Sequence, residues 1–249
     1  MAKLPTDPDV MARTVVDIAA ASFTNARALL TGAQAVLDTR QWPTAFSVAA
    51  LALEEVGKAA MCMTMLAMPP TMREQFRPQF EKAFVDHRTK AGFAHLILGV
   101  VAEAMPASLD QLMADAIESA RKSNAVKFRG LYVDYTDTGV LLTPASVGEK
   151  EARWMVATVT TALAESVDTE AAVADPDVLL DFLSEWQDGV DFHALEAYVE
   201  SATEEFIGHI RAFVRDDVPP PADFLGPALA RKLAAADGAP DSGPLPDPA

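Results

Sequence analysis

The chain has 249 residues, 50% of them hydrophobic, which is enough to bury a substantial core. Its single cysteine, Cys62, excludes a disulfide framework and a cysteine-based metal site. The net charge of −16 is unevenly spread, because residues 1–150 carry 16 acidic and 15 basic side chains whereas residues 151–249 carry 20 and 5. This distribution disfavours nucleic-acid binding through the whole surface but allows a local basic patch in the first half.

Apolar residues recur at three- and four-residue spacing nearly throughout the chain, which is the pattern of amphipathic helices. In chain order, the predicted helices cover about residues 9–39, 44–68, 71–105, 108–122, 146–172, the segment after Asp175-Pro176, and 191–214. We expect Pro78 to kink or interrupt the third helix and Ser108 to cap the fourth. The buried side of the first helix is predicted to consist of Ile18, Ala21, Ala26, Leu29, Leu30, Ala33 and Leu37.

One segment breaks the helical pattern. Between Phe128 and Thr143 the sequence contains Tyr-Val-Asp-Tyr, Asp-Thr-Gly and Val-Leu-Leu, which predicts a short β-hairpin or ordered loop near residues 129–143. Ser146 and Glu149 form a capping-box signature that opens the next helix. The predicted fold class is therefore all-α, a bundle of about six to seven helices. We expect a helical domain at 1–172, further acidic helices at 173–217 packed on the same bundle, and a Pro/Ala-rich, partly disordered tail at 218–249.

Glu54, Glu55 and Lys58 are the only charged residues between Gln41 and Pro69. A helix that is apolar all round is a buried helix, and a buried charge is costly unless it is paired. Lys58 lies one helical turn after both glutamates, so its ammonium is within reach of either carboxylate. The three residues are therefore an ordinary solvated pair, a buried structural ion pair or part of a functional site.

The chain has four histidines. His87 precedes Lys90 by one helical turn and shares its helix face, and His95 lies on roughly the same side. A lone helical histidine is more often a structural hydrogen-bonding residue than a ligand or an acid, and we interpret His193 and His209 in that way. Paired Glu-x-x-His motifs, which a di-metal site in a helical bundle requires, do not occur in the sequence, so we expect no metal and no cofactor.

A basic segment, Arg121–Arg129, contains four cations and is followed at once by Tyr132, Asp134 and Tyr135. Basic residues beside aromatic ones can hold phosphates and stack the bases of single-stranded RNA. The simpler interpretation is a helix C-terminus at which cations complement the helix dipole.

Taken together, these motifs resemble the AbiV-type abortive infection proteins of bacteria over about residues 15–165. In chain order they are Asn25-Ala-x-x-Leu-Leu, Ala45-x-x-x-Ala-x-Leu-Ala-Leu-Glu54-Glu-x-Gly-Lys58, His87-x-x-Lys90, Lys127-x-x-Gly-Leu-Tyr-Val-Asp134 and Pro144. The resemblance implies an intracellular protein that blocks phage propagation at the expense of the infected cell. It also implies a HEPN-like helical architecture, whose members commonly dimerise and in many cases cut RNA with an arginine shortly followed by a histidine. Arg88 and His95 fit that order formally.

We therefore predict a shared polar site. Its candidate catalytic residues are Glu54, Glu55, Lys58, His87, Lys90 and Asp134, and its candidate substrate-binding residues are Lys122, Lys127, Arg129 and Tyr132. In a ribonuclease, His87 or His95 would be the general acid or base, and nearby cations would stabilise the pentavalent phosphate.

Two hypotheses about function remain open. The first is a cytoplasmic, homodimeric defence effector that acts on RNA or the translation apparatus, with ribonuclease activity as its enzymatic form. The second is a non-catalytic sensor or protein-binding module of a defence system, with a structural polar core and a phage or host protein as partner; the acidic C-terminal half motivates it. We expect no membrane association, because charged residues interrupt the longest hydrophobic run and the N-terminus lacks a signal peptide.

Overall fold

The computed structural model describes residues 3–101, 108–189 and 208–209. Across these residues the chain forms eight α-helices and one small hairpin, so the predicted all-α fold is confirmed. The helices are α1 (Pro8–Asp38), α2 (Trp42–Ala67), α3 (Pro70–Val85), α4 (His87–Val101), α5 (Leu109–Leu131), α6 (Glu149–Ala164), α7 (Val167–Val173) and α8 (Pro176–Gly189). Residues 1–180 form one compact unit, and the chain from residue 181 onwards belongs to a second.

Helix α1 begins where Asp7 accepts hydrogen bonds from the backbone N–H groups of Asp9 and Val10. Its buried face runs along Met11, Ala12, Val15, Val16, Ala19, Ser22, Phe23, Ala26 and Ala33. Ala21 is exposed, so its predicted burial was wrong; it lies on the face of the helix opposite to these buried residues. Of the other predicted positions, Ala26 and Ala33 are buried, and Ile18, Leu29, Leu30 and Leu37 are half-buried.

Helix α2 lies at the centre of the bundle and packs against α1, α4, α5 and α6. Because it has neighbours on every side, most of its residues are buried, including Phe46, Leu53, Val56 and Met65. The sequence prediction of a helix that is apolar all round and therefore central is thus matched by the structure. The charges on α2 must be accommodated inside the bundle.

The predicted third helix is two helices, and the break lies at Asp86 rather than at Pro78. Helix α3 continues through Pro78 and ends at Val85, where Asp86 adopts an extended backbone. The Asp86 carboxylate then accepts hydrogen bonds from the backbone N–H groups of Arg88 and Thr89 (3.3 and 3.2 Å) and from the Thr89 hydroxyl (2.6 Å). These hydrogen bonds lower the pKa of Asp86, and the bond from the Thr89 hydroxyl has the largest effect. Asp86 thereby caps α4, which places His87 at its first turn.

Helix α5 continues well beyond Lys122, where its end was predicted, and reaches Leu131. Residues 129–131 are therefore helical, and the hairpin is shorter than predicted. Its strands are β1 (Asp134–Tyr135) and β2 (Leu141–Leu142), which pair antiparallel. Gly139 in the turn has φ +78°, a conformation that glycine adopts without strain. Ser108 caps α5 as predicted, by accepting a hydrogen bond from the Gln111 N–H (3.2 Å).

The predicted capping box of Ser146 and Glu149 is wrong. Ser146 belongs to a short 3₁₀ helix, Pro144–Ser146, and its hydroxyl donates to the Thr143 carbonyl (2.7 Å). Helix α6 instead begins after Gly148, whose N–H donates to the Glu151 carboxylate (3.2 Å). An N-capping side chain accepts hydrogen bonds from the backbone N–H groups of the first helical turn, and the Ser146 hydroxyl instead donates to the Thr143 carbonyl.

The predicted helix 146–172 is also two helices, α6 and α7, separated at Glu165 and Ser166. The Ser166 hydroxyl donates to the Ala162 carbonyl (2.7 Å), a local bond that competes with the helical ladder. Helix α8 begins after Asp175, whose carboxylate accepts from the Val178 N–H (3.3 Å), in agreement with the prediction. The predicted end of the third helix near residue 105, the helix 191–214, His193 and the tail 218–249 lie outside the described residues. Among the helices that the structure describes, none combines the length and apolar character needed to cross a membrane.

Candidate functional site

The centre of the site is the carboxylate of Glu54 on α2, whose side chain is only 5% exposed. Its Oε1 is in contact with the Nζ of Lys127 on α5, which is 2% exposed. Its Oε2 lies 2.6 Å from Nδ1 of His87, the first residue of α4. One buried carboxylate therefore joins three helices, with a lysine on one oxygen and a histidine on the other.

Lys58 does not use Glu54, although that carboxylate lies one helical turn away. Its Nζ donates to both oxygens of Glu55 (2.7 and 2.6 Å), and each side chain is 16% exposed. The ammonium also lies 5.4 Å from the centroid of the Phe84 ring on α3, a cation–π contact. The two glutamates therefore have different partners: Glu55 pairs along α2, and Glu54 pairs across the bundle.

Lys90 on α4 is buried and completes what we call the polar cluster. The cluster consists of Glu54, Glu55, Lys58, His87, Lys90 and Lys127. Burial lowers the pKa of Lys90, and the charges of Glu54, Lys58, Glu55 and Lys127 act on the same ammonium. Five of the six candidate catalytic residues thus lie in one electrostatic neighbourhood with Lys127, which was predicted to bind substrate; Asp134 lies elsewhere.

Gly57 allows the cluster to assemble. A Cβ built at this position would lie 1.7 Å from the carbonyl oxygen of Lys90 and 3.1 Å from the backbone nitrogen of Ala94. Helices α2 and α4 are therefore in backbone contact beside the site, and only a residue without a side chain fits between them. The close approach brings His87 and Lys90 towards Glu54.

Gly130 has the same role between α2 and α5. A Cβ there would lie 2.7 Å from the Ser47 hydroxyl and 2.9 Å from the Pro43 carbonyl oxygen. The Ser47 Oγ in turn lies 3.1 Å from the carbonyl oxygen of Lys127. The backbone of Lys127 is thus held against the start of α2, which directs its ammonium towards Glu54.

His95 is separate from these contacts. It is buried on α4, its Nε2 lies 3.5 Å from the Ser123 hydroxyl on α5, and burial lowers its pKa to about 4. Arg88, which precedes it in the formal arginine–histidine pattern, is exposed. The imidazole of His95 is thus neutral and enclosed at neutral pH, which is a poor arrangement for proton exchange with a substrate.

The remaining predicted residues do not join the polar cluster; they line a surface groove formed by the end of α5 and the hairpin. These residues are Lys122, Arg129, Tyr132 and Asp134. Lys122 pairs with Glu118 (3.4 Å), and Asp134 accepts a hydrogen bond from the backbone N–H of Tyr135 (2.8 Å). Lys127, predicted to bind substrate, is enclosed as the partner of Glu54.

Four residues that hold the site together were not predicted from the sequence: Ser47, Phe84, Asp86 and the helix-contact residue Gly130. Asp86 could have been predicted, because an aspartate directly before a helical segment is an N-cap signal. The others depend on contacts between distant helices. In the described part of the chain, no group of three or more His, Cys, Asp or Glu side chains is placed to hold a metal ion.

Comparison with known proteins identifies the chain. The model of the HEPN_AbiV family, described as AbiV, matches residues 14–163, which is more than half of the sequence and includes the whole polar cluster. No curated protein and no solved structure was found to match the chain significantly. The chain therefore belongs to the AbiV family, which indicates a role in abortive infection, a form of defence.

Proposed function

We propose that this abortive-infection protein is an effector that cuts RNA, with His87 as its general acid–base group. The observation that carries the proposal is the 2.6 Å contact between His87 Nδ1 and the buried Glu54, combined with a His87 side chain that is 50% exposed. A carboxylate on one imidazole nitrogen fixes the ring orientation and leaves the other nitrogen for a substrate. Histidine is the side chain best suited to proton transfer near neutral pH.

The proposed reaction is cleavage by the RNA's own 2′-hydroxyl. The 2′-oxygen attacks the adjacent phosphorus while Nε2 of His87 takes its proton, and the bond from phosphorus to the 5′-oxygen breaks. The 5′-oxygen takes a proton from solvent, so the products are a 2′,3′-cyclic phosphate and a 5′-hydroxyl. The reaction needs no metal and no oxidant, and it suits a site whose chemistry comes from one histidine and several cations.

The other members of the cluster have supporting roles in this proposal. Lys127 is enclosed, so it positions the Glu54 carboxylate rather than touching RNA. Lys58 is partly exposed and Lys90 lies close to the same carboxylates, so both add positive potential near a phosphate bound at His87. Glu55 holds the Lys58 ammonium in place.

The test is cleavage of RNA from infected and uninfected cells by the purified full-length protein. We expect His87→Gln to lower the rate about 100-fold or more, because general acid–base catalysis is typically worth that much. Lys150→Gln, which removes an exposed cation from α6, is the control and should cleave like the wild type. Equal cleavage by the His87→Gln protein, or no cleavage by wild-type protein with either RNA, would exclude the proposal.

A second candidate is a non-catalytic sensor or protein-binding module of the defence system. It is favoured by the way the buried charges satisfy one another: Lys127 with Glu54, and Lys58 with Glu55, as in a structural polar core. A phage-challenge assay separates the two candidates. If His87→Gln preserves defence while Lys58→Met lowers both the melting temperature and defence, the cluster is structural and the second candidate stands.

A further inference from the structure

The groove formed by the end of α5 and the hairpin has a volume of about 580 Å³ and combines cations with aromatic rings. Its polar and aromatic lining consists of Arg121, Lys122, Phe128, Arg129, Tyr132 and Asp134. The chemistry proposed for the polar cluster does not use this groove. The groove is therefore a second feature that needs an explanation.

Phe128 and Tyr132 form an exposed aromatic platform in the groove. They lie one helical turn apart, with ring centroids separated by 6.1 Å and planes inclined by 24°. Phe128 is 43% exposed and Tyr132 is 59% exposed, so both rings can be covered by a ligand. A planar nucleobase can stack on such rings, and the strength of stacking depends little on which base it is.

The charges around the platform favour an anion. Glu118 pairs with both Arg121 (2.7 Å) and Lys122 (3.4 Å), so one carboxylate serves two cations. Arg129 is the third cation, and its Nε is buried without a hydrogen-bond partner in the described residues. Together, the three cations Arg121, Lys122 and Arg129 lie beside two carboxylates, Glu118 and Asp134, which leaves one positive charge in excess around the platform.

We propose that this groove binds single-stranded RNA, with a base stacked on Tyr132 and a phosphate held by Arg129. The choice of RNA as the ligand rests on the proposed function, which it deepens by assigning the substrate-binding surface. The groove also contacts the cluster, because Lys127 Nζ lies 4.8 Å from the centroid of the Phe128 ring. RNA stacked on the platform would therefore cover a ring that also contacts the lysine positioning Glu54.

The experiment measures binding of a fluorescent single-stranded oligouridine of about ten nucleotides by anisotropy. All variants are made in the His87→Gln background, so that cleavage cannot remove the probe and a failure of the catalytic proposal does not affect the result. Tyr132→Leu should weaken binding about tenfold, and Tyr132→Phe should restore it, because the phenyl ring keeps the stacking surface. Trp154→Leu, which removes an exposed aromatic ring on α6, is the matched control.

Salt dependence tests the phosphate contact. Arg129→Gln should weaken binding and reduce the slope of log affinity against log salt by about 0.7, the value for one phosphate contact on a single strand. Lys150→Gln should leave the slope unchanged. An equimolar duplex of the same length should compete poorly, because paired bases cannot stack on the platform.

Three results would overturn the inference. They are an affinity of the His87→Gln protein for oligouridine no greater than for the duplex, binding by Tyr132→Leu equal to that of Trp154→Leu, and an unchanged salt slope in Arg129→Gln. If the same groove substitutions, made in the protein that keeps His87, abolish phage defence although RNA binding is normal, the groove serves a protein partner instead. A wild-type protein that binds through the groove but does not cleave would overturn the catalytic proposal alone.

Discussion

Replacing Lys127 by methionine tests whether the Glu54 carboxylate is a buried, desolvated charge that depends on its partner. The methionine side chain is about as long as the aliphatic part of lysine, so the substitution removes the ammonium and keeps the apolar packing. The Glu54 side chain is 5% exposed and that of Lys127 is 2% exposed, so the variant leaves a carboxylate inside the bundle without its main cation. Breaking a buried pair in this way typically costs about 3–5 kcal/mol.

The structure places the expected loss towards the lower end of that range. His87 still lies 2.6 Å from the other carboxylate oxygen and is half-exposed, so it can keep part of the charge solvated or paired. We therefore expect Lys127→Met to lower the free energy of unfolding by about 3 kcal/mol. This is a large fraction of the stability of an ordinary domain, but it leaves a folded protein to measure.

The assay is urea unfolding of the full chain, with a double-mutant cycle. Glu54→Gln with Lys127→Met removes both charges, so the double variant should be more stable than the sum of the single losses predicts, by about 2 kcal/mol. Glu149→Gln with Arg153→Met, an exposed pair on α6 (2.7 Å), is the control and should show a coupling of only a few tenths of a kcal/mol. A loss below about 1 kcal/mol for Lys127→Met, with no coupling, would refute both the desolvated pair and the positioning role assigned to Lys127.

Three further predictions follow from the packing and the pKa shifts. Gly57→Ala should destabilise the fold by about 1–3 kcal/mol or more, because its Cβ would overlap the Lys90 carbonyl, whereas Gly32→Ala, with only an ordinary 4.0 Å contact, should be neutral or stabilising by melting temperature. His95 has a pKa of about 4 in the fold and 6.5 ordinarily, so the unfolded chain binds more protons between these values. The stability contribution of the neutral His95 is complete above pH 6.5, and the free energy of unfolding falls by about 2 kcal/mol from pH 7 to pH 5. Urea unfolding of the His95→Gln variant at the two pH values should lack this decrease. Asp86→Ala should cost about 1 kcal/mol by removing the α4 cap, and an unchanged urea midpoint would contradict that role.

Most of the helices could be predicted from the sequence because their signals are local. The three- and four-residue spacing of apolar side chains and caps such as Ser108 and Asp175 act within one or two turns. The errors arose where two local signals competed. Pro78 predicts a kink or break in the third helix, but α3 continues through it. The helix ends at Asp86, which caps α4.

The site was predicted less completely, because its geometry depends on contacts between helices. Lys58 follows Glu54 by four residues and Glu55 by three. Both spacings bring a carboxylate within reach on a helix, so helix geometry alone cannot choose between them. Lys127 was predicted to bind substrate because it lies in a basic segment. Its burial follows from the close approach of α5 to α2 at Gly130, which a single sequence does not reveal.

By itself, the sequence determined that α2 would be buried and that its charges would need partners, because an apolar helix cannot place Glu54 in water. Only the tertiary structure decided which partners they have. Gly57 and Gly130 let α4 and α5 come within backbone contact of α2, and this approach places His87 and Lys127 on the two oxygens of one carboxylate. Charge pairing between helices is set by such distances, and a distance between helices is a property of the packed bundle rather than of any one segment.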